Sequence, residues 1–112
     1  MNKTIYAAYE ELKRQEIKEL KNAVRIHGGE YVFNIDEGEA PSVLCNLKYG
    51  GPADVRILSV SLDGNDHLTI IGQPYCDGPA GWWEDEQEIP LDDIAYSHVS
   101  LITDCIPDRD LS

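Results

Sequence analysis

A β-hairpin at Val55–Gly72 constrains this chain more than any other stretch. Val55-Arg56-Ile57-Leu58-Ser59-Val60-Ser61-Leu62 is apolar and β-branched, Asp63-Gly64-Asn65-Asp66 carries turn chemistry, and His67-Leu68-Thr69-Ile70-Ile71-Gly72 returns to apolar residues. Side chains alternate along a strand, so Val55 and Ile57 share one phase while Leu58, Val60 and Leu62 share the other. The slip at Ile57-Leu58 predicts a bulge, and a bulge in a long strand bends the sheet.

The other elements are read around that hairpin. Ile5, Tyr9, Leu12, Ile17, Leu20 and Val24 follow a helical period, with Thr4 as a cap. Glu10 precedes Arg14 by one turn, and Lys21, Arg25 and His27 suit the negative end of the helix dipole before Gly28-Gly29 stops it. Glu30–Ile35 alternates as a half-buried strand, with Tyr31, Phe33 and Ile35 on one face. Asp36–Pro41 is an acidic turn. A second strand, Ser42–Lys48, places Val43, Cys45 and Leu47 on one face and Leu44 on the other, and Gly50-Gly51-Pro52 then predicts a break. Two prolines and two glycines predict irregular chain over Gln73–Gly81, and Pro90–Ile94 reads as a short turn of helix with proline at its start. A last strand is expected over Tyr96–Thr103, with Val99 and Leu101 facing one way and Tyr96, His98 and Ile102 the other.

This order predicts an α+β fold: a long N-terminal helix, then a curved antiparallel five-stranded sheet or small SH3-like barrel. The Sm-type barrel has the same order of elements, a similarity of architecture that carries no function. At 112 residues one domain suffices, with a helix over 1–28, a β-sheet body over 29–104 and a frayed tail over 105–112.

The net charge of −12 is unevenly placed. Residues 1–27 hold six basic and four acidic side chains, a net +2, whereas residues 28–112 hold three basic and seventeen acidic, a net −14. An acidic body of this kind repels phosphate backbones and anionic membranes, which excludes direct nucleic-acid binding and membrane attachment as functions. No secretory leader or membrane-spanning run is apparent, and three cysteines, Cys45, Cys76 and Cys105, do not make the framework of a disulfide-stapled domain, so a cytoplasmic address is expected. Cys45 reads as a small core residue. One disulfide among the three is compatible with an oxidising compartment.

Asp77–Asp93 contains seven acids and no base, and within it Trp82 and Trp83 precede Glu84, Asp85, Glu86 and Glu88. Tryptophan anchors interfaces and clustered carboxylates attract cations, so these six residues are the candidate site for a basic protein surface or peptide. The bland alternative is a tryptophan that caps the core beside a solvated loop. A specific form of the binding idea is an acidic body that imitates nucleic acid and occupies a nucleic-acid-binding protein. No cofactor is called for. Asp63–His67 departs from the calcium-loop pattern and suits a plain turn, and no Cys-x-x-Cys or His-x-x-x-His pair suggests zinc. The runner-up function is a small metal-dependent or cysteine-based enzyme with a site around Cys76 and His98. Self-association through the N-terminal helix is a third use of the chain.

Overall fold

The computed structural model describes residues 3–47, 51–76, 79–95 and 97–107, with residues 3–6 as backbone alone. The expected roles of the Thr4 and Ile5 side chains, and of Lys48, Gly50, Asp77, Gly78, Tyr96 and residues 108–112, lie outside the described residues or side chains.

Helix α1 spans Lys3–Ile26, about 36 Å at the usual rise per residue. Its C-terminal half is the anchored half: Leu20 and Val24 are fully buried, and Ile17 and Ala23 pack against the core. Tyr9 and Leu12, on the same expected stripe, are exposed. The helix therefore lies on the body with one half and reaches past it with the other. It ends as its glycines predict, since Gly28 adopts φ 83° and the N–H groups of Gly28 and Gly29 return to the carbonyls of Arg25 and Val24. Arg14 pairs with Glu11 at 2.9 Å rather than with Glu10.

Among the described residues six strands follow: β1 Glu30–Val32, β2 Ser42–Leu47, β3 Gly51–Leu62, β4 Leu68–Cys76, β5 Trp82–Trp83 and β6 Gln87–Glu88. The hairpin β3–β4 is their centre. β1 and β2 share one edge of β3, β5 and β6 share the far edge of β4, and every pairing is antiparallel. The β3–β4 register shifts between Ile57 and Ser59, so the expected bulge is present where the hydrophobic phase slips. It buries both Ile57 and Leu58, and the sheet curls there.

Four expectations are corrected. β3 begins at Gly51 and so includes Pro52, and β4 runs to Cys76 through Pro74. Pro52 sits where no ladder bond needs its nitrogen, whereas Pro74 faces Glu84 and leaves that pair one donor short. The Ile57 N–H points to Pro41, on the β2 side, so by alternation residue 52 faces away from β2, and Pro74 still accepts from the Glu84 N–H at 2.7 Å. Tyr31 and Phe33 turn inward as expected, but β1 stops at Val32 and Ile35 is exposed in a turn. The expected last strand is instead helix α2, Val99–Asp104, because Val99, Ile102 and Ile106 recur at helical spacing and are buried beside α1. Ile106, placed by the sequence in a frayed tail, belongs to the core, and His27 Nε2 reaches the Pro107 carbonyl at 2.7 Å.

Between β6 and α2 the chain forms a strap across the mouth of the curled sheet. Ile89 donates to the Ile70 carbonyl on β4, the predicted turn of helix forms at Leu91–Asp93, and Ile94 bridges to Cys45 on β2. Ile89 and Ile94 are buried under it. The core thus lies between the curled sheet, the strap and the two helices. Among the described residues no helix is long and apolar enough to cross a membrane.

Candidate protein-interaction groove

The site is built where the two central strands part. Their register ends at Val55↔Pro74, yet β3 extends back to Gly51 with β2 as partner and β4 extends on to Cys76 with β5 as partner. Ala53, Asp54, Tyr75 and Cys76 would be next in register, and they are not paired across the gap. An open groove of about 960 Å³ occupies this divergence, between the ends of β2, β3 and β4 and the strap. Leu44, Leu47, Pro52, Ala53 and Pro74 supply apolar lining, while Asp54, Glu84, Glu88 and Asp93 supply carboxylates. Among the described residues no lysine or arginine lines it.

The aromatic pair beside the groove divides into two roles. Trp83 pairs with Tyr75 edge to face at 4.9 Å, and the Arg56 guanidinium lies over its ring at 4.5 Å, held by a 2.9 Å bond from Nε to Gln73 Oε1. Its face is already occupied. Trp82 stands opposite Cys76 and is 53% exposed. Gly81 makes this arrangement feasible, because its φ is 59° and a Cβ there would lie 1.9 Å from the Tyr75 hydroxyl.

Of the six residues expected to form the site, Glu84 and Glu88 line the groove, Trp82 is exposed beside it, Trp83 packs on Tyr75 and Arg56, and Asp85 and Glu86 are solvated. Sequence reasoning missed Asp54, Asp93, Tyr75 and the apolar lining. Their common signal is proline at 52, 74 and 90, of which the first two read as interruption and the third as the start of a helical turn.

The remaining candidate chemistry is committed to structure. Asp63 Oδ1 accepts from the N–H groups of Asn65 and His67 at 2.8 and 2.9 Å, which holds its carboxyl below the usual range, and Asp66 pairs with Arg25 and, at 3.6 Å, with Lys21. Asp63–His67 is therefore a hairpin turn tied to α1. His98 precedes α2, and its Nδ1 accepts the Leu44 N–H at 2.9 Å, leaving Nε2 as the ring nitrogen able to act on anything else. All three cysteines are free thiols. Cys45 is buried, and burial pushes it up to about 11, Asp93 adding to the shift and Lys13 opposing it. Lys13 donates to the Ile94 carbonyl at 2.6 Å, and burial lowers its pKa against the pull of Asp92 and Asp93. One turn further along α1, Glu16 is buried with an Oε1 that has no hydrogen-bond partner among the described residues. Among the described residues no cluster of three or more His, Cys, Asp or Glu is arranged to hold a metal ion.

Comparison with protein families, with curated proteins and with solved structures gives no match.

Proposed function

We propose that this protein is a non-enzymatic binding module that docks a basic protein surface or peptide on its acidic-aromatic segment, Trp82–Glu88, and the groove beside it. One observation carries the reading: an apolar groove lined, among the described residues, by four carboxylates and no cation, with the exposed Trp82 alongside. Apolar lining supplies contact area, the carboxylates supply attraction and steering, and an exposed tryptophan is a residue type that dominates interface energetics. A curled sheet of the SH3-like kind, centred on β3–β4, is the scaffold we assign to it. Free thiols and an acidic body suit a cytoplasmic role. Imitation of nucleic acid is a special form of the same reading, in which binding competes with DNA or RNA and weakens as salt rises.

The test is affinity capture with the full chain from the cells that make it. Wild type and the distant control Asp36→Asn/Glu37→Gln are expected to recover the same partner, and Trp82→Ala/Glu84→Gln/Glu88→Gln to lose it. Equal recovery by all three proteins would refute the assignment. The exposed Tyr9 and Leu12, one turn apart on the projecting half of α1, favour self-association as a separate activity of the helix. Leu12→Glu would then lower the molar mass in solution without affecting partner capture.

A further inference from the structure

The groove is a gap in a sheet as well as an acidic depression, and this restricts what fits it. Among the described residues β3 keeps a partner on its β2 side over Gly51–Asp54 but has none in register on its β4 side, while Tyr75 and Cys76 pair outward, with β5. Alternation gives the direction of the backbone groups. Because the Ile57 N–H points toward β2, residue 54 presents its peptide groups to the gap. From the other strand, the carbonyls of Ile70 and Pro74 point away toward Ile89 and Glu84, so Tyr75 presents its own to the same gap. Pro52, which lacks an N–H, stands on this edge without loss. An exposed strand edge of this kind is a template for a further strand.

We propose, resting on the binding-module reading, that the groove takes an extended, cation-bearing segment of a partner protein laid against the free edge of β3. The occupant follows from charge complementarity. Asp54 and Glu84 stand on the two sides of the gap, with Glu88 and Asp93 at the strap, and among the described residues no positive side chain lines the space to balance them. In an extended segment successive side chains point to opposite sides, so one row lies along Leu47, Ala53 and Pro74, the face that Glu84 shares through its place opposite Pro74, and the other row lies beside Asp54. Four edge residues, Gly51–Asp54, match a segment of about four to six residues at roughly 3.3 Å each.

The experiment uses the full chain and a fluorescently labelled peptide of alternating lysine and valine, about eight residues long, with binding read by anisotropy. Three companions are a glutamate-for-lysine peptide, the lysine-valine peptide N-methylated at alternate backbone nitrogens, and the protein variants used for capture. Saturable one-to-one binding is expected, with no binding of the glutamate peptide. Affinity should fall by about tenfold or more on N-methylation, which removes main-chain donors without changing charge. Glu84→Gln/Glu88→Gln should weaken it by about tenfold, while Asp36→Asn/Glu37→Gln, equal in charge change but distant, leaves it within about twofold. Equal weakening by the two double variants would overturn the site in favour of general acidity. Unchanged affinity on N-methylation would overturn strand addition. A captured partner that needs Glu84 and Glu88, with no peptide binding, would overturn the extended occupant and leave the binding-module reading intact. Loss of both would remove the two together.

Discussion

The two ends of the central hairpin are made of the same strands and the same residue types, and they use their carboxylates differently. At the turn end β3 and β4 pair continuously from Ser59↔Ile71 to Leu62↔Leu68, and every acid has an internal task. Asp63 closes the turn and Asp66 ties it to Lys21 and Arg25 of α1. At the other end the strands part at Val55↔Pro74, and Asp54, Glu84, Glu88 and Asp93 face an apolar groove that no cation lines among the described residues. Acidity therefore has no single meaning in this chain. At the turn Asp66 meets bases of α1 and Asp63 meets backbone N–H groups, whereas at the groove Asp93 alone has a base of α1, Lys13, near it.

The contrast is broken first by core substitutions, which have the largest effect. Ile70→Ala, at a 1% exposed position in the paired end, is expected to cost about 2–5 kcal/mol in urea unfolding, while Leu44→Ala, 40% exposed at the groove, should cost less than about 1 kcal/mol. Comparable losses would show that the groove wall is core rather than surface.

Next comes the pH dependence of Cys45, which lies under the strap between the two ends. Its folded-state value is raised, from the ordinary 9.0 to about 11, so its contribution to stability is complete below pH 9 and is lost as pH rises through about 11. A shift of that size corresponds to about 3 kcal/mol. Cys45→Ala should have a visibly flatter stability profile between those limits in pH-dependent thermal unfolding. The same steepness in both proteins would assign the alkaline loss to other groups.

The smallest effects compare the carboxylates directly. Asp66→Asn removes the exposed pairs to Lys21 and Arg25 and is expected to cost up to about 1 kcal/mol at low salt, less at high salt. Glu84→Gln/Glu88→Gln should leave the melting temperature unchanged or raise it slightly, a change within about 0.5 kcal/mol. A larger loss for the glutamates than for Asp66 would reverse the division of roles.

Much of the fold was legible because it rests on short-range pattern. The helix and its glycine stop, the hairpin, its turn and the bulge at Ile57-Leu58 follow from local spacing of apolar and turn residues. The errors share a cause. Val99–Asp104 permits both periodicities in so short a run, and the choice fell to α1, whose Leu20 and Val24 lie in the same core as Val99, Ile102 and Ile106. Pro52 and Pro74 read as breaks because proline removes a donor, yet Pro52 faces no partner that needs one and at Pro74 the strand continues with one donor missing. For the site, the acidic-aromatic run was visible as composition, but the different fates of Trp82 and Trp83 depend on Tyr75 and Arg56, distant in the chain.

By itself the sequence determined an α+β chain with a basic-leaning helix, a strongly acidic body and a bent central hairpin, since these depend on residue types and on neighbours a few positions apart. Only the tertiary structure decided where that hairpin opens, which acids gather at the opening and which are neutralised by α1. Those outcomes depend on register between strands and on the path of the strap, and register is an energetic balance over the whole sheet that no local segment contains.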